Sequence, residues 1–111
     1  MMTREEVIRM LRRFRYDPQF KKGDGRVPLS AFCRYIGLSR QYIYDIINKQ
    51  QRCGDGGLKI LSAAIEDIVA GRIRFQRLGR YQWVVVGPDG QPVPAKVPQR
   101  YNPRTHSHAD A

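Results

Sequence analysis

The chain has 111 residues, with 20 lysines and arginines against 10 acidic residues and a formal net charge of +10. This length corresponds to about one domain, which excludes a multi-domain enzyme. A hydrophobic content of 41% suits a small core. No apolar run reaches the roughly 20 residues that a bilayer span requires, and we expect no secretory signal because no apolar stretch follows the charged N-terminus. The positive excess favours a polyanionic partner such as DNA, RNA or an anionic membrane surface.

The first predicted helix covers residues 4–15. Thr3 and Glu6 have the spacing of a capping box, in which each side chain hydrogen-bonds the backbone of the other. Asp17-Pro18 ends the helix, because proline disfavours a helical residue before it, and residues 17–28 read as a flexible basic loop. Apolar residues recur at helical spacing behind the cap: Val7, Met10, Leu11 and Phe14.

Two short helices, 29–36 and 40–49, are predicted on either side of Gly37. Gly37 allows the positive φ that a tight turn between helices needs, and the small Cys33 lets the second helix approach closely. Ser39 is a good N-cap for that second helix. The apolar residues that we expect to face inward are Phe32, Ile36, Leu38, Ile43 and Ile46.

This pattern resembles the helix-turn-helix of the phage-repressor-like DNA-binding proteins, the lambda repressor/Cro-like group. The close match covers about 20 residues from Leu29 to Asn48, and the flanking helices fit more loosely from 4 to 70. The chain differs from that group in having Leu29 where a glutamine is common, and in following its helices with a hairpin. The resemblance implies a four-helix domain whose helix 40–49 enters the major groove.

The outward face of helix 40–49 then supplies the side chains that read bases. In such a groove arginine pairs with guanine, glutamine or asparagine with adenine, and aspartate with cytosine. Three alternatives stay open: Asp45 pairs with Lys49 on the helix surface, Tyr42 packs on the domain, and Arg40 contacts phosphate. The predicted base-reading residues are Ser39, Arg40, Gln41, Tyr44, Asp45 and Asn48.

Phosphate contacts are expected from basic residues around that face. A protein that neutralises several phosphates binds DNA with a steep dependence on salt. The candidates are Lys21, Lys22, Arg26, Arg34, Lys49, Arg52, Arg72 and Arg74.

A glycine-containing loop at 50–57 precedes a fourth predicted helix, 58–70, and Gly71 suits the left-handed position after it. Alternating residues then predict a β-hairpin of strands 72–77 and 80–86 joined at Leu78-Gly79. The hairpin has two interpretations. In the first, its arginines (Arg72, Arg74, Arg77 and Arg80) line a wing that lies against DNA. In the second, which we slightly prefer, its edge pairs with a second copy of the chain. Phe75, Trp83 and Val85 are expected in the core or an interface.

The predicted organisation is a DNA-binding domain at 1–87 and a proline-rich, basic, disordered tail at 88–111. The fold class is mainly α with a C-terminal β-hairpin. Cys33 and Cys53 are expected as reduced thiols in a cytosol. His106 and His108 stand in the tail without a partner cysteine or carboxylate cluster, so neither a metal nor a cofactor is predicted. We find no catalytic constellation and expect no enzyme.

The sequence thus predicts a sequence-specific, double-stranded-DNA-binding transcriptional regulator. We expect it to belong to a phage, a mobile element or a bacterial host, to act as a homodimer, and to lie in the cytoplasm with the nucleoid. No membrane or small-molecule partner is expected. The alternatives are a protein-interaction module such as a phage-encoded inhibitor of a host protein, DNA packaging by a small-terminase-like protein, and RNA binding through Tyr81 and Trp83.

Overall fold

A computed structural model describes residues 1–49 and 52–95. Within these residues the chain forms four α-helices followed by one antiparallel hairpin, which confirms the predicted fold class. Two 3-10 turns, Pro18–Phe20 and Gly23–Gly25, lie inside the predicted loop 17–28. The helices are α1 (Arg4–Tyr16), α2 (Leu29–Ile36), α3 (Arg40–Ile47) and α4 (Asp55–Val69), and the strands are β1 (Arg74–Arg77) and β2 (Trp83–Val86).

Helix α1 begins at the predicted capping box. The Thr3 hydroxyl accepts a hydrogen bond from the Glu6 backbone N–H at 3.2 Å, and Glu6 Oε1 accepts one from the Thr3 N–H at 2.9 Å. The helix ends one residue later than predicted, and Asp17 is extended before Pro18 as the proline requires. Its buried residues are Val7, Leu11 and Phe14.

The corner between α2 and α3 has the predicted geometry. Gly37 has φ 77°, and the N–H groups of Gly37 and Leu38 both donate to the Cys33 carbonyl, at 2.8 and 3.2 Å. The Ser39 hydroxyl caps α3 by accepting from the Tyr42 N–H at 3.1 Å. Leu38 is half-buried, and the other residues expected to face inward are buried: Phe32, Ile36, Ile43 and Ile46.

Two helix boundaries differ from the prediction. Helix α4 begins at Asp55 instead of 58, because contacts with distant residues fix its first turn: Arg4 pairs with Asp55, and the Tyr42 ring lies against Gly57. Asp55 also suits the positive end of the helix dipole. Helix α3 ends at Ile47 instead of 49. Its cap, Asn48, is followed by Lys49 in the left-handed region at φ 61°, which no helix interior allows.

The hairpin pairs Arg74 with Val86 and Arg77 with Trp83, so both strands are shorter than predicted. The predicted two-residue turn is wrong. Residues 78–82 make the connection, and the Leu78 N–H donates to the Gln82 carbonyl at 2.9 Å. Gly71, at φ 79°, ends α4 as expected.

The chain turns back on the hairpin after β2. The Gly87 N–H donates to the Gln91 carbonyl at 2.9 Å, and the Val93 N–H donates to the Val85 carbonyl at 2.8 Å. Val93 also packs against the core, so the beginning of the predicted tail lies on the domain. The predicted disorder of residues 96–111, with Lys96, Arg100, Arg104 and the two histidines, lies outside the described residues, as do Gln50 and Gln51 of the predicted loop.

Contacts between the elements place α3 at one side of the core. Helix α1 packs against α3 and α4, α2 packs against α3, α4 and β2, and β1 packs against the turn at Gly23–Gly25. Cys33 and Cys53 are buried free thiols. Among the described residues, no helix has both the length and the apolar character to cross a membrane.

Candidate nucleic-acid interface

Helix α3 turns one face to the core and the other to solvent. Ile43, Ile46 and Ile47 are buried, and their period leaves Gln41, Tyr44, Asp45 and Asn48 on the opposite face. Ser39, Arg40, Gln41 and Asn48 are exposed, while Tyr44 and Asp45 are half-buried. The structure therefore brings four of the predicted base-reading residues together on the open face of α3, and it leaves Ser39 and Arg40 exposed at the N-terminal end of the helix.

Gln41 and Asp45 are linked on this face. Gln41 Nε2 donates to Asp45 Oδ1 at 2.8 Å, one helical turn apart. Within the part of the chain that the structure describes, Asp45 thus bonds to Gln41 and makes no ion pair with Lys49. The bond holds an amide and a carboxylate side by side, so the pair presents the acceptors of the carboxylate next to the free oxygen and the remaining N–H donor of the amide.

Tyr44 is half-covered by an arginine that the sequence prediction missed. The Arg15 guanidinium carbon lies 4.2 Å from the centre of the Tyr44 ring, in a cation–π contact. Hydrogen bonding to Tyr16, and secondarily to Tyr44, raises the pKa of Arg15 above its usual value. Tyr44 therefore contributes to the face together with a cation from α1.

Arg12 binds the C-terminal end of α3, and the sequence prediction missed this residue as well. Its Nε and Nη2 atoms donate to the Ile47 carbonyl at 3.0 and 2.9 Å. A cation on the last carbonyls of a helix satisfies an otherwise unpaired acceptor and complements the helix dipole. The only sequence signal for Arg12 and Arg15 is their place in the C-terminal half of α1, and this does not reveal which element they meet.

Tyr42 packs on the domain, as one of the alternatives held. Its ring lies against Gly57 of α4, where an added Cβ would lie 2.5 Å from the Tyr42 hydroxyl. The side chain is half-buried and belongs to the packing around the core. Tyr42 therefore holds α3 on α4 instead of joining the open face.

The predicted phosphate-contacting residues fall into two groups. Arg26 stacks over the Trp83 ring at 4.8 Å, and Arg72 Nε donates to Asp67 Oδ1 at 2.7 Å, so both cations are engaged within the protein. The remaining members are exposed in the segment before α2, on α2, in the segment between α3 and α4, and on β1. These exposed residues are Lys21, Lys22, Arg34, Lys49, Arg52 and Arg74.

A shallow groove of about 540 Å³ runs along α1 and reaches Lys49 after α3. Its walls include Ile8, Arg9, Tyr16 and Lys49. Its charged side chains come mostly from α1 itself, and they surround no nucleophile with an adjacent base. Over residues 1–49 and 52–95, no three histidine, cysteine or acidic side chains are grouped so that they could hold a metal ion.

Comparison with protein-family models, curated proteins and solved structures finds no match for this chain. Its function is therefore inferred from its own residues and their geometry.

Proposed function

We propose that this protein is a sequence-specific regulator that binds double-stranded DNA by placing α3 in the major groove. One observation carries the proposal. Helix α3 buries its three isoleucines and presents Arg40, Gln41 and Asn48 to solvent directly after a glycine corner. Such a helix offers hydrogen-bonding side chains to base edges while its apolar side stays anchored in the domain.

The exposed side chains suit base edges. Arg40, at the first position of α3, has the fork that binds guanine O6 and N7. Asn48 supports a bidentate contact with adenine at the other end of the helix. The bonded pair of Gln41 and Asp45 presents acceptors that suit the amino group of cytosine or adenine.

The charges next to α3 suit a DNA backbone. Arg34 on α2 and Lys49 after α3 are exposed, and Arg15 lies over Tyr44 on the α1 side. Asp45 is the one acidic residue of α3, and Gln41 already bonds it. A polyanion thus meets cations on both sides of the reading helix.

In this proposal the protein is a homodimer that acts by occupying an operator of a phage, a mobile element or its bacterial host, in the cytoplasm. Two half-sites about one helical turn apart multiply affinity and specificity. We do not favour the outer edge of β2 as the dimer contact, because the chain itself pairs there through Val86 and Pro92. This pairing favours the interpretation of the hairpin as a DNA-binding wing.

The test is enrichment from a random duplex library at two salt concentrations. Wild type is expected to select a palindromic consensus. The variant R40A/Q41A is expected to keep its fold and lose the consensus, because each good bidentate pair contributes about 1–3 kcal/mol of base discrimination. The matched control, K59A/Q91A, also removes one cation and one amide, but from exposed positions outside α3. It is expected to select the wild-type consensus.

Two outcomes would contradict the proposal. If R40A/Q41A selects the same consensus as wild type, α3 does not read bases. If single-stranded RNA displaces the duplex at equal concentration, the ligand is RNA. The position of Trp83 argues against a stacking platform for RNA, because the guanidinium of Arg26 already covers the ring.

A further inference from the structure

The turn of the hairpin exposes two large apolar side chains. Within residues 78–82, Leu78 is 64% exposed and Tyr81 is 80% exposed. The strands beneath them bury Phe75, Val85 and Val86 in the core. Exposed apolar groups rimmed by polar residues are the kind of feature that marks an interaction surface, and here both groups lie in one five-residue turn that also carries Arg80.

The turn is held in one shape by its own hydrogen bonds. Arg77 Nε donates to the Gly79 carbonyl at 3.0 Å, and its Nη2 donates to the Arg80 carbonyl at 3.4 Å. The Leu78 N–H donates to the Gln82 carbonyl. A turn that is ordered before binding loses little conformational entropy when it docks.

The charge of the hairpin indicates an anionic partner. Residues 72–88 contain four arginines and no acidic residue. Arg72 is paired with Asp67, so Arg74, Arg77 and Arg80 give the turn and its approach a net positive charge. A symmetric contact between two copies would bring this patch against itself, and like charges that face each other oppose such a contact.

We propose that this hairpin turn is a minor-groove wedge for double-stranded DNA. Leu78 and Tyr81 press between base pairs, Arg80 contacts the adjacent phosphates, and the DNA bends away from the protein. Proteins that bind the minor groove combine arginines with apolar wedges in this way. The inference deepens the proposed function, because it rests on duplex DNA being the ligand, but it does not depend on α3 reading bases.

An anionic membrane is a weaker fit for the same charge. A single myristoyl chain gives only marginal membrane binding, and the exposed apolar part of Leu78 and Tyr81 is smaller than such a chain. A base step offers the two side chains a narrow slot that encloses them, which a bilayer surface does not.

The experiment measures affinity and bending together. A mixed-sequence duplex of about 30 base pairs, far shorter than the persistence length of DNA, carries a donor and an acceptor dye at its two ends. Wild type is expected to raise the energy transfer on binding. The variant L78S/Y81S is expected to bind about tenfold more weakly, the loss typical of apolar anchors, and to leave the energy transfer at the value of free DNA when saturating. The control V69S changes another exposed apolar side chain, which is 66% exposed at the end of α4. It is expected to match wild type.

The outcomes separate the two proposals. If wild type fails to bind any duplex, the proposed function fails. If wild type binds the duplex and L78S/Y81S binds and bends it equally, the wedge is overturned while the proposed function stands. The wedge is also overturned if L78S/Y81S changes the sedimentation of the free protein, or if wild type but not the variant binds vesicles of phosphatidylserine and phosphatidylcholine.

Discussion

Gly57 shows how a single missing side chain positions α3. The residue is buried in the first turn of α4, and the Tyr42 ring of α3 fills the space where its Cβ would stand. A sequence pattern assigns neighbouring glycines to a loop, because glycine is unfavourable in helices. Here the tertiary contact outweighs helix propensity. Gly57 lets α3 and α4 approach closely, and α4 forms although glycine has a low propensity for helices.

Gly57→Ala is expected to lower the free energy of unfolding by about 1 kcal/mol, since the steric conflict outweighs the helix propensity gained. In a Tyr42→Phe background the same change is expected to be nearly neutral, because the conflicting hydroxyl is absent. Urea denaturation of the four proteins measures this coupling as a double-mutant cycle. Gly56→Ala is the control: nothing lies within 4 Å of its added Cβ, so it is expected to stabilise the protein. Equal losses from Gly57→Ala in both backgrounds would contradict the packing.

Cys33 makes stability depend on pH in the alkaline range. Burial raises the pKa of its thiol from 9.0 to about 11, while the charge of Arg40 acts in the opposite direction. Between these values the unfolded chain loses the proton and the folded protein keeps it, so the stability that the neutral thiol contributes is lost as pH rises.

We therefore expect the free energy of unfolding of wild type to fall between pH 9 and about 11 relative to Cys33→Ala, with a slope approaching about 1.4 kcal/mol per pH unit. Denaturation curves of both proteins across this range give the difference, in which the titrations of lysine and tyrosine cancel. Parallel pH profiles would show that Cys33 titrates alike in both states.

At the scale of elements, α3 is held at both ends by different means. Ser39 caps its beginning, and the Arg12 fork from α1 binds the carbonyl of its last residue, Ile47. Because α1 also carries Arg15 over Tyr44, the two helices are joined along their open edge. In the proposed function, Arg12 is a positioning residue that fixes the angle at which α3 meets DNA.

Arg12→Lys keeps the charge but loses the fork, since an ammonium lacks the planar pair of donors. We expect it to lower the free energy of unfolding by about 1 kcal/mol and to weaken selected-duplex binding more than mixed-sequence binding, because a misaligned helix loses base contacts first. Arg9→Lys, exposed on the same helix, is the control. Chemical denaturation and fluorescence anisotropy provide the two measurements. Equal weakening of binding to both duplexes would reduce Arg12 to a structural role.

The sequence predicts those features that depend on near neighbours in the chain. The capping box at Thr3, the corner at Gly37, the cap at Ser39 and the end of α4 at Gly71 all form as expected. The start of α4 depends on distant contacts, and the turn of the hairpin is set by the register of its strands. The same reason explains why Arg12 and Arg15 were missed: their partners lie about thirty residues away in sequence.

At the scale of the whole molecule, some basic side chains extend into solvent and others are bound to groups within the protein. Arg34 extends from α2, which packs against both α3 and β2, whereas Arg72 is neutralised by Asp67. A cation that releases counterions from DNA must be free to replace them. In the proposed complex, the count of 20 lysines and arginines therefore overstates the number of phosphates that the protein would neutralise.

We expect Arg34→Gln to reduce the slope of log binding constant against log salt by about 0.9, the contribution of one phosphate contact in B-DNA. Arg72→Gln removes the same formal charge and is expected to change the slope much less, because its charge is already offset in the free protein. Titrations of a duplex at several salt concentrations measure both slopes. Identical changes in the two variants would mean that net charge alone governs binding.

Residues 91–93, which turn back along β2, affect the tendency of the protein to aggregate. Trp83–Val86 is a short run of aromatic and β-branched residues, and an uncovered strand edge of such residues is a template for pairing with another chain. The pairing of Val86 with Pro92 and the bond from Val93 to Val85 cover the open side of this strand. Proline has no N–H to offer a further strand. The segment after the hairpin thus protects the protein from aggregation, and a chain cut at Gly87 would expose a template for cross-β growth.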